Sequence, residues 1–106
     1  MSTIPEYLYK IISDQSWNES QNLEQLQLDE MDHEFIHLST EEQLERIIDK
    51  YWQDSHFIVL QLDSSKLVGK LVLEANSGGT NKYYHLYDGF IPLKSIHKSF
   101  NVKARK

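Results

Sequence analysis

The chain contains no cysteine, and this one absence excludes several classes of protein. Disulfide-stapled scaffolds, thiolate metal centres and cysteine nucleophiles all need a thiol. No apolar stretch approaches the roughly 18 residues of a membrane helix. The first residues do not show the basic segment followed by an apolar segment that is typical of a signal peptide. We therefore expect a cytoplasmic protein without a membrane partner.

Proline and glycine are also scarce, with two and four residues among 106. Such a sequence is typical neither of collagen nor of a disordered chain. Its hydrophobic share of 40% and its charged share of 25% match ordinary globular domains. A chain of this length can close one modest core without a metal or a disulfide. We predict a single domain over residues 1–106.

Positive charge is rare in the first half of the chain. Residues 1–54 carry three basic and 13 acidic side chains, whereas residues 55–106 carry eight basic and three acidic ones. The net charge of −5 disfavours a long nucleic acid as partner, because a polyanion would be repelled. The basic second half has two interpretations. It is either a solvated surface or the basic rim of a binding site for a small phosphate-bearing ligand.

The spacing of apolar residues predicts two helices near the front of the chain and several strands. A helix over residues 40–52 has the clearest pattern, and a helix that Ser13 or Asp14 can cap, and that runs through Trp17 to about Leu26, has a weaker one. The predicted strands are 6–12, 35–38, 56–62, 70–74, 83–87 and 95–102, with 56–62 central and a turn at Asp88-Gly89. These elements indicate an α+β fold with a mixed, mostly antiparallel sheet.

Ser39 and Glu42 have the spacing of a capping box at the start of the second helix. The free amides of a helix start attract anions. His37 lies two residues before Ser39, on the strand face that it shares with Phe35, so it would stand beside this anion seat. An imidazole there could bind a phosphate or ribose, or act as acid or base. The alternative is a buried histidine bound to a backbone carbonyl.

A second histidine has an unusual strand environment. By alternation His85 shares its face with Tyr83 and Tyr87, and each polar tip needs a partner when buried. This face is either a half-exposed surface or the wall of a cleft that stacks a ring. The sequence contains no HExxH, GxSxG, P-loop or dinucleotide fingerprint, and its five histidines form no i, i+4 pair in a predicted helix. We predict no metal site.

Short segments along nearly the whole chain match one pattern that is specific in combination. They are Tyr9-Lys10-Ile11, Trp17, the run 35–43, Leu60-Gln61-Leu62-Asp63, Leu67, Leu73-Glu74, Gly78-Gly79, His85-Leu86-Tyr87 and Ile91-Pro92-Leu93. With these segments the chain resembles a small bacterial family known only as DUF952, a domain of unknown function. It departs from the family pattern at His33-Glu34, Tyr84 and Asp88.

The Ile36-His37-Leu38-Ser39 segment also looks like the histidine strand of the RNA 2'-phosphotransferases, and through them like the ADP-ribosyltransferase fold. This remoter resemblance implies a cleft between two small sheets that binds NAD. In such clefts a histidine holds the ribose, an aromatic ring stacks the nicotinamide, and a Glu or Gln often stabilises the transition state. His37 matches that histidine, and His85 with Tyr87 would form a second polar wall.

Three functions are compatible with these observations. The chain is an ADP-ribosyltransferase-like domain that binds NAD or another nucleotide, a non-catalytic module for a small ligand or a protein, or a structural protein. Whether it is an enzyme, and its oligomeric state, stay open. The candidate catalytic residues are His37, His85 and Glu74, and the candidate ligand-binding residues are Tyr9, Lys10, Ser39, Gly78, Gly79 and Tyr87.

Overall fold

The computed structural model describes residues 4–52, 56–75 and 78–102. These residues form an α+β fold with two short α-helices and two three-stranded antiparallel sheets. The helices are α1 (Asp14–Ser20) and α2 (Leu44–Tyr51). The strands are β1 (Tyr7–Ser13), β2 (Ile36–His37), β3 (Phe57–Asp63), β4 (Val68–Ala75), β5 (Lys82–Phe90) and β6 (Ile96–Val102).

The first sheet has the order β1-β3-β6 and the second the order β2-β5-β4. The prediction of a central strand over 56–62 is confirmed, since β3 lies between β1 and β6 and is buried from Phe57 to Leu60. All pairings of named strands are antiparallel, where the sequence predicted a mixed sheet. No described helix is long and apolar enough to cross a membrane.

The main core lies between the facing surfaces of the two sheets. Alternate residues of β1 and β3 point inward, such as Leu8, Ile12 and Leu60, and they pack with Ile36 and Leu86 of the second sheet. A second cluster covers the outer face of the first sheet, where α2 packs on it. Lys10 stands between Leu8 and Ile12 on the inward face, so a lysine belongs to the main core, with 2% exposure.

Both helices differ from their predicted bounds. The first begins where the sequence predicted, because the Ser13 side chain caps it by accepting a hydrogen bond from the Ser16 amide at 3.1 Å, but α1 ends at Ser20 and not near Leu26. The second begins with a 3₁₀ turn at Glu41–Gln43 and becomes α-helical only at Leu44.

The predicted capping box of Ser39 and Glu42 is wrong. Thr40 is the capping residue, and the Gln43 side chain accepts a hydrogen bond from the Thr40 amide at 3.0 Å. Ser39 instead joins the two sheets. Its amide and carbonyl each form a 2.8 Å hydrogen bond with the backbone of Tyr9. Since the Ser39 amide is used in this bridge, it offers no anion seat.

Asp88-Gly89 is not a turn between two strands, as the sequence predicted. It lies inside β5, opposite a register irregularity between Val68 and Lys70 of β4. Asp88 has a φ of 55° and Gly69 a φ of 129°. A β-carbon on Gly69 would come within 2.6 Å of the Tyr87 carbonyl, so glycine is required at this bulge.

Candidate functional site

A cavity of about 490 Å³ opens where β1 and β2 separate beyond the bridge between Tyr9 and Ser39. Its walls are mainly apolar and aromatic and include Phe35, Trp52 and Tyr83. Its polar lining includes Lys10, Ser39 and His37.

The backbone of β1 contributes hydrogen-bonding groups to this cavity. The Glu6 carbonyl accepts a hydrogen bond from the Ser64 amide at 3.0 Å, and the Asp14 amide donates one to the His56 carbonyl at 3.4 Å. The even residues of β1 therefore direct their backbone hydrogen bonds to β3. The odd residues therefore point their amides and carbonyls away from β3. Tyr9 bonds Ser39 in this direction. Ile11 is also an odd residue, so its N–H and C=O point away from β3. Because Ile11 lines the cavity, these two groups lie on the cavity side of β1.

His37 is held by a buried carboxylate. Asp32 Oδ1 accepts hydrogen bonds from the backbone amide and from Nδ1 of His37, both at 3.0 Å. The ammonium of Lys10 lies 3.0 Å from Oδ1 and 2.9 Å from Oδ2 of the same carboxylate. The Asp32 side chain has no exposed surface, whereas that of His37 is 39% exposed. Asp32 thus fixes the inner edge of an imidazole whose outer edge is open to the cavity.

The charge of Asp32 is stabilised in spite of its burial. Burial alone would raise the pKa of the Asp32 carboxyl, but the hydrogen bonds from His37 and the charge of Lys10 together outweigh it and lower the pKa. Asp32 is therefore a carboxylate at neutral pH, and Nδ1 of His37 carries the proton between them. The remaining ring nitrogen, Nε2, can exchange a proton or hydrogen bond with a ligand.

His85 forms a second carboxylate–histidine pair. Its Nδ1 lies 2.7 Å from Oε2 of Glu74, and the hydroxyl of Tyr87 donates a hydrogen bond to the same oxygen. These bonds lower the pKa of Glu74, with Tyr87 the larger cause and His85 the next, and the bond to Glu74 raises the pKa of Tyr87. The His85 side chain is only 1% exposed.

The two pairs lie next to each other. His37 and His85 are direct partners in the ladder of β2 and β5, and their ring centroids are 5.5 Å apart. Phe35 contacts both rings, at 4.8 Å from His37 and 4.1 Å from His85, and is stacked on the latter. The two histidines are therefore neighbours, but of the two only His37 lines the cavity.

Several predicted site residues do not line this cavity. The Tyr9 side chain lies beside Gln61 and Val59, and its hydroxyl accepts a hydrogen bond from the Gln61 side-chain amide at 2.8 Å. The glycines of the loop, Gly78 and Gly79, are exposed and also lie outside the lining. His85, Glu74 and Tyr87 are adjacent to it rather than in it, with Phe35 between His85 and the cavity.

Sequence reasoning missed Asp32, which organises the whole site. Asp32 lies in an acidic segment, and one acidic residue in such a segment gives no local signal. A signal did exist in β1. Lys10 lies on the same strand face as Leu8 and Ile12, so a cation had to enter the core and needed a buried acidic partner. Within the described residues no group of three or more His, Asp or Glu side chains could hold a metal ion.

The family model for a protein of unknown function, DUF952, matches residues 11–99. The chain belongs to the DUF952 family. No curated protein matches the chain.

The fold is also that of CC0527 from Caulobacter crescentus. The crystal structure of CC0527 has 24% sequence identity and a TM-score of 0.77, and the match covers 90% of this chain and 84% of that one. Its solution NMR structure matches equally well, over 93% and 86% of the two chains. At this identity the likeness shows that the two proteins share a fold, and it carries no information on activity.

Proposed function

We propose that this DUF952 domain binds a small ligand of the nucleoside class in the cavity beside His37. The observation that carries the proposal is the Asp32–His37 pair, in which a buried carboxylate orients an imidazole toward an aromatic-walled cavity. Because Nδ1 of His37 is held by Asp32, the other ring nitrogen, Nε2, is the one that can accept a hydrogen bond from a sugar hydroxyl. Such an acceptor at one end of an apolar cavity favours a ligand that joins a hydroxyl-bearing part to a flat apolar part.

The walls of the cavity support a planar ring. Phe35, Trp52 and Tyr83 provide aromatic surface, and the volume of about 490 Å³ falls within the range of roughly 300–1,000 Å³ for small-molecule sites. The amide and carbonyl of Ile11 supply a donor and an acceptor for a ring edge. A nucleobase or a nicotinamide ring would suit these walls, while the attached ribose would face His37.

The charge of the cavity argues against a phosphate as the main anchor. Among the described residues Lys10 is the only lysine in its lining, and the ammonium of Lys10 is neutralised by Asp32. Ser39, near which the sequence predicted a phosphate, does not cap the helix start, and its amide donates to the Tyr9 carbonyl. The phosphates of a nucleotide such as NAD would therefore extend out of the cavity. This arrangement supports recognition of the nucleoside part, with NAD as one ligand that contains it.

A transfer reaction is the second candidate, and the carboxylate-oriented imidazole favours it. His37 could act as a general base toward a hydroxyl, as it would in the ADP-ribosyltransferase fold that the sequence remotely resembles. Glu74, the candidate acidic partner, is bonded to His85 and Tyr87 and does not line the cavity. Binding without turnover is therefore the better-supported function.

Calorimetric titration with adenosine, nicotinamide riboside, NAD, ADP-ribose and inorganic phosphate tests the proposal. Nucleosides and NAD should bind, and phosphate alone should not. His37→Ala should abolish binding, while His97→Ala, which changes an exposed histidine on β6, should leave it unchanged. Binding of phosphate but of no nucleoside would contradict the proposal, as would equal affinities of the two variants. Release of nicotinamide from NAD during the titration would favour the transfer reaction.

A further inference from the structure

The outer edge of the second sheet is formed by a long strand with open hydrogen-bonding groups. In the described part of the chain β4 pairs with β5 alone, and its other edge is exposed. Val68 and Leu73 on this strand are 43% and 45% exposed, which is high for large apolar side chains. Such an edge is a template for pairing with another strand.

The direction of its backbone groups can be worked out from the rest of the sheet. The Leu38 amide donates to the Tyr84 carbonyl, so even residues of β5 face β2 and odd residues face β4. His85 of β5 is the partner of Val72, so Val72 directs its amide and carbonyl inward, to β5. Leu71 and Leu73 therefore direct theirs outward, to the open edge.

We propose that β4 pairs antiparallel with β4 of a second copy of this chain, with Val72 facing Val72 across a two-fold axis. Only registers that place outward-directed residues opposite each other can form hydrogen bonds, and the register centred on Val72 is one of them. It pairs Leu71 with Leu73 of the other copy, and the reverse, and covers the exposed Leu73. The second sheet of one copy and the second sheet of the other, with three strands each, then form one sheet of six strands.

Charge complementarity selects this register. With Val72 at the centre, Lys70 of each copy lies opposite Glu74 of the other, in a position without backbone hydrogen bonds where side chains approach closely. Shifting the centre to Leu71 or to Leu73 places Lys70 or Glu74 opposite Val72 instead. Both described hydrogen bonds of Glu74 use Oε2, so its Oε1 can accept from a lysine.

The dimer would bring a cation next to the His85 pair. Lys70, Val72 and Glu74 lie on the same face of the sheet as His85 and Tyr87, whereas Leu71 and Leu73 lie on the core side. Each copy thus contributes the ammonium of Lys70 to the Glu74–His85–Tyr87 cluster of the other copy. The open edge of the first sheet, β6, has no such self-complementary pair, because its described side chains include Lys98 but no acid.

A cysteine introduced at the axis tests the register directly, because the chain has no cysteine of its own. In the proposed pair the two Val72 α-carbons are about 4.5 Å apart, within the range of about 4.4–6.8 Å for a disulfide. Val72→Cys should form a covalent dimer under mild oxidation. Ser99→Cys on the exposed edge strand β6 is the matched control and should stay monomeric. Equal cross-linking of the two variants would overturn the proposal.

Sedimentation velocity from micromolar to millimolar concentration tests the association itself. The unchanged chain should shift from monomer to dimer as its concentration rises. In Lys70→Glu the new glutamate of each copy lies opposite Glu74 of the other copy, and this repulsion should weaken association by roughly tenfold or more. Lys98→Glu on β6 should leave association unchanged. Leu73→Pro, which removes an outward amide that β5 does not use, should also abolish the dimer. A chain that stays monomeric, or a dimer that Lys70→Glu and Leu73→Pro leave intact, would overturn the proposal.

Discussion

The two carboxylate–histidine pairs are neighbours in one sheet, but their burial is reversed. In the first pair the carboxylate of Asp32 is fully buried and the imidazole of His37 is 39% exposed. In the second pair the imidazole of His85 is 1% exposed and the carboxylate of Glu74 is 35% exposed. The same two functional groups thus present a ring to a cavity in one case and a carboxylate to the surface in the other.

This reversed burial indicates that the candidate binding site is marked by a buried acid and not by the presence of a histidine alone. A buried carboxylate is costly unless it is paired, and Asp32 is paired with Lys10 as well as with His37. This network positions an imidazole that a ligand can reach. His85 instead lies under the ring of Phe35, where its bond to Glu74 satisfies a buried polar atom.

The largest contrast should appear when each acid is neutralised. Asp32→Asn leaves the buried ammonium of Lys10 without its counterion, and we expect a loss of about 3–5 kcal/mol in the free energy of unfolding. Glu74→Gln changes a half-exposed group and should cost clearly less. Urea denaturation of the two variants measures the difference. Equal losses would mean that the two pairs do not differ in the way their burial indicates.

A double variant sharpens this prediction. Lys10→Met together with Asp32→Asn removes both buried charges, so the stability loss should be well below the sum of the two single losses. The same cycle with Lys10→Met and Glu74→Gln, which do not touch, should be additive to within about 0.5 kcal/mol. Additivity in the first cycle would contradict a direct ion pair in the core.

Acid should act on the first pair more than on the second. Because the pKa of Asp32 is lower in the folded chain than in the unfolded one, its contribution to stability is present above the ordinary carboxyl pKa of about 4 and is lost as the pH falls through the folded value. The pKa of Glu74 is lowered too, so its contribution has the same sign. Because the Asp32 side chain is fully buried while that of Glu74 is 35% exposed and screened by solvent, Asp32→Asn should flatten the acid side of the stability profile more than Glu74→Gln, as measured by thermal unfolding from neutral pH downward.

The smallest expected effect concerns the ring that separates His85 from the cavity. Phe35→Leu removes an aromatic stack, and we expect a stability loss of about 1 kcal/mol. The ring protons of His85 should shift in the NMR spectrum as the ring current of Phe35 is lost. Phe100→Leu, at a phenylalanine that is 45% exposed on β6, should leave the His85 signals unchanged. Unchanged signals in Phe35→Leu would show that the stack does not exist in solution.

Local patterns in the sequence predicted much of the fold. Alternation placed Phe35 with His37 on one face of β2, and the apolar run 56–62 indicated a central strand; both are confirmed. These signals work because a strand repeats every two residues whatever surrounds it. The sequence interpretation placed Tyr9 and Lys10 in one cleft, whereas in the structure Lys10 lines the cavity and Tyr9 contacts Gln61 outside it.

The contacts that organise the site could not be predicted locally. Lys10 and Asp32 are separated by 22 residues, and their contact depends on how the segment before β2 folds back against β1. The capping residue was misplaced by one position, since Ser39 and Thr40 are both good caps and only the bridge to Tyr9 decides between them. The Gly78-Gly79 pair carried no information on its distance from the histidines.

The central claim is that His37, and not His85, meets the ligand. The most direct measurement follows the imidazole NMR signals of both residues during titration with adenosine and with NAD. We expect a saturable shift of the His37 signals, with much smaller changes at His85 and none at His97. Larger shifts at His85 than at His37, or no shift at either residue at millimolar ligand, would contradict it.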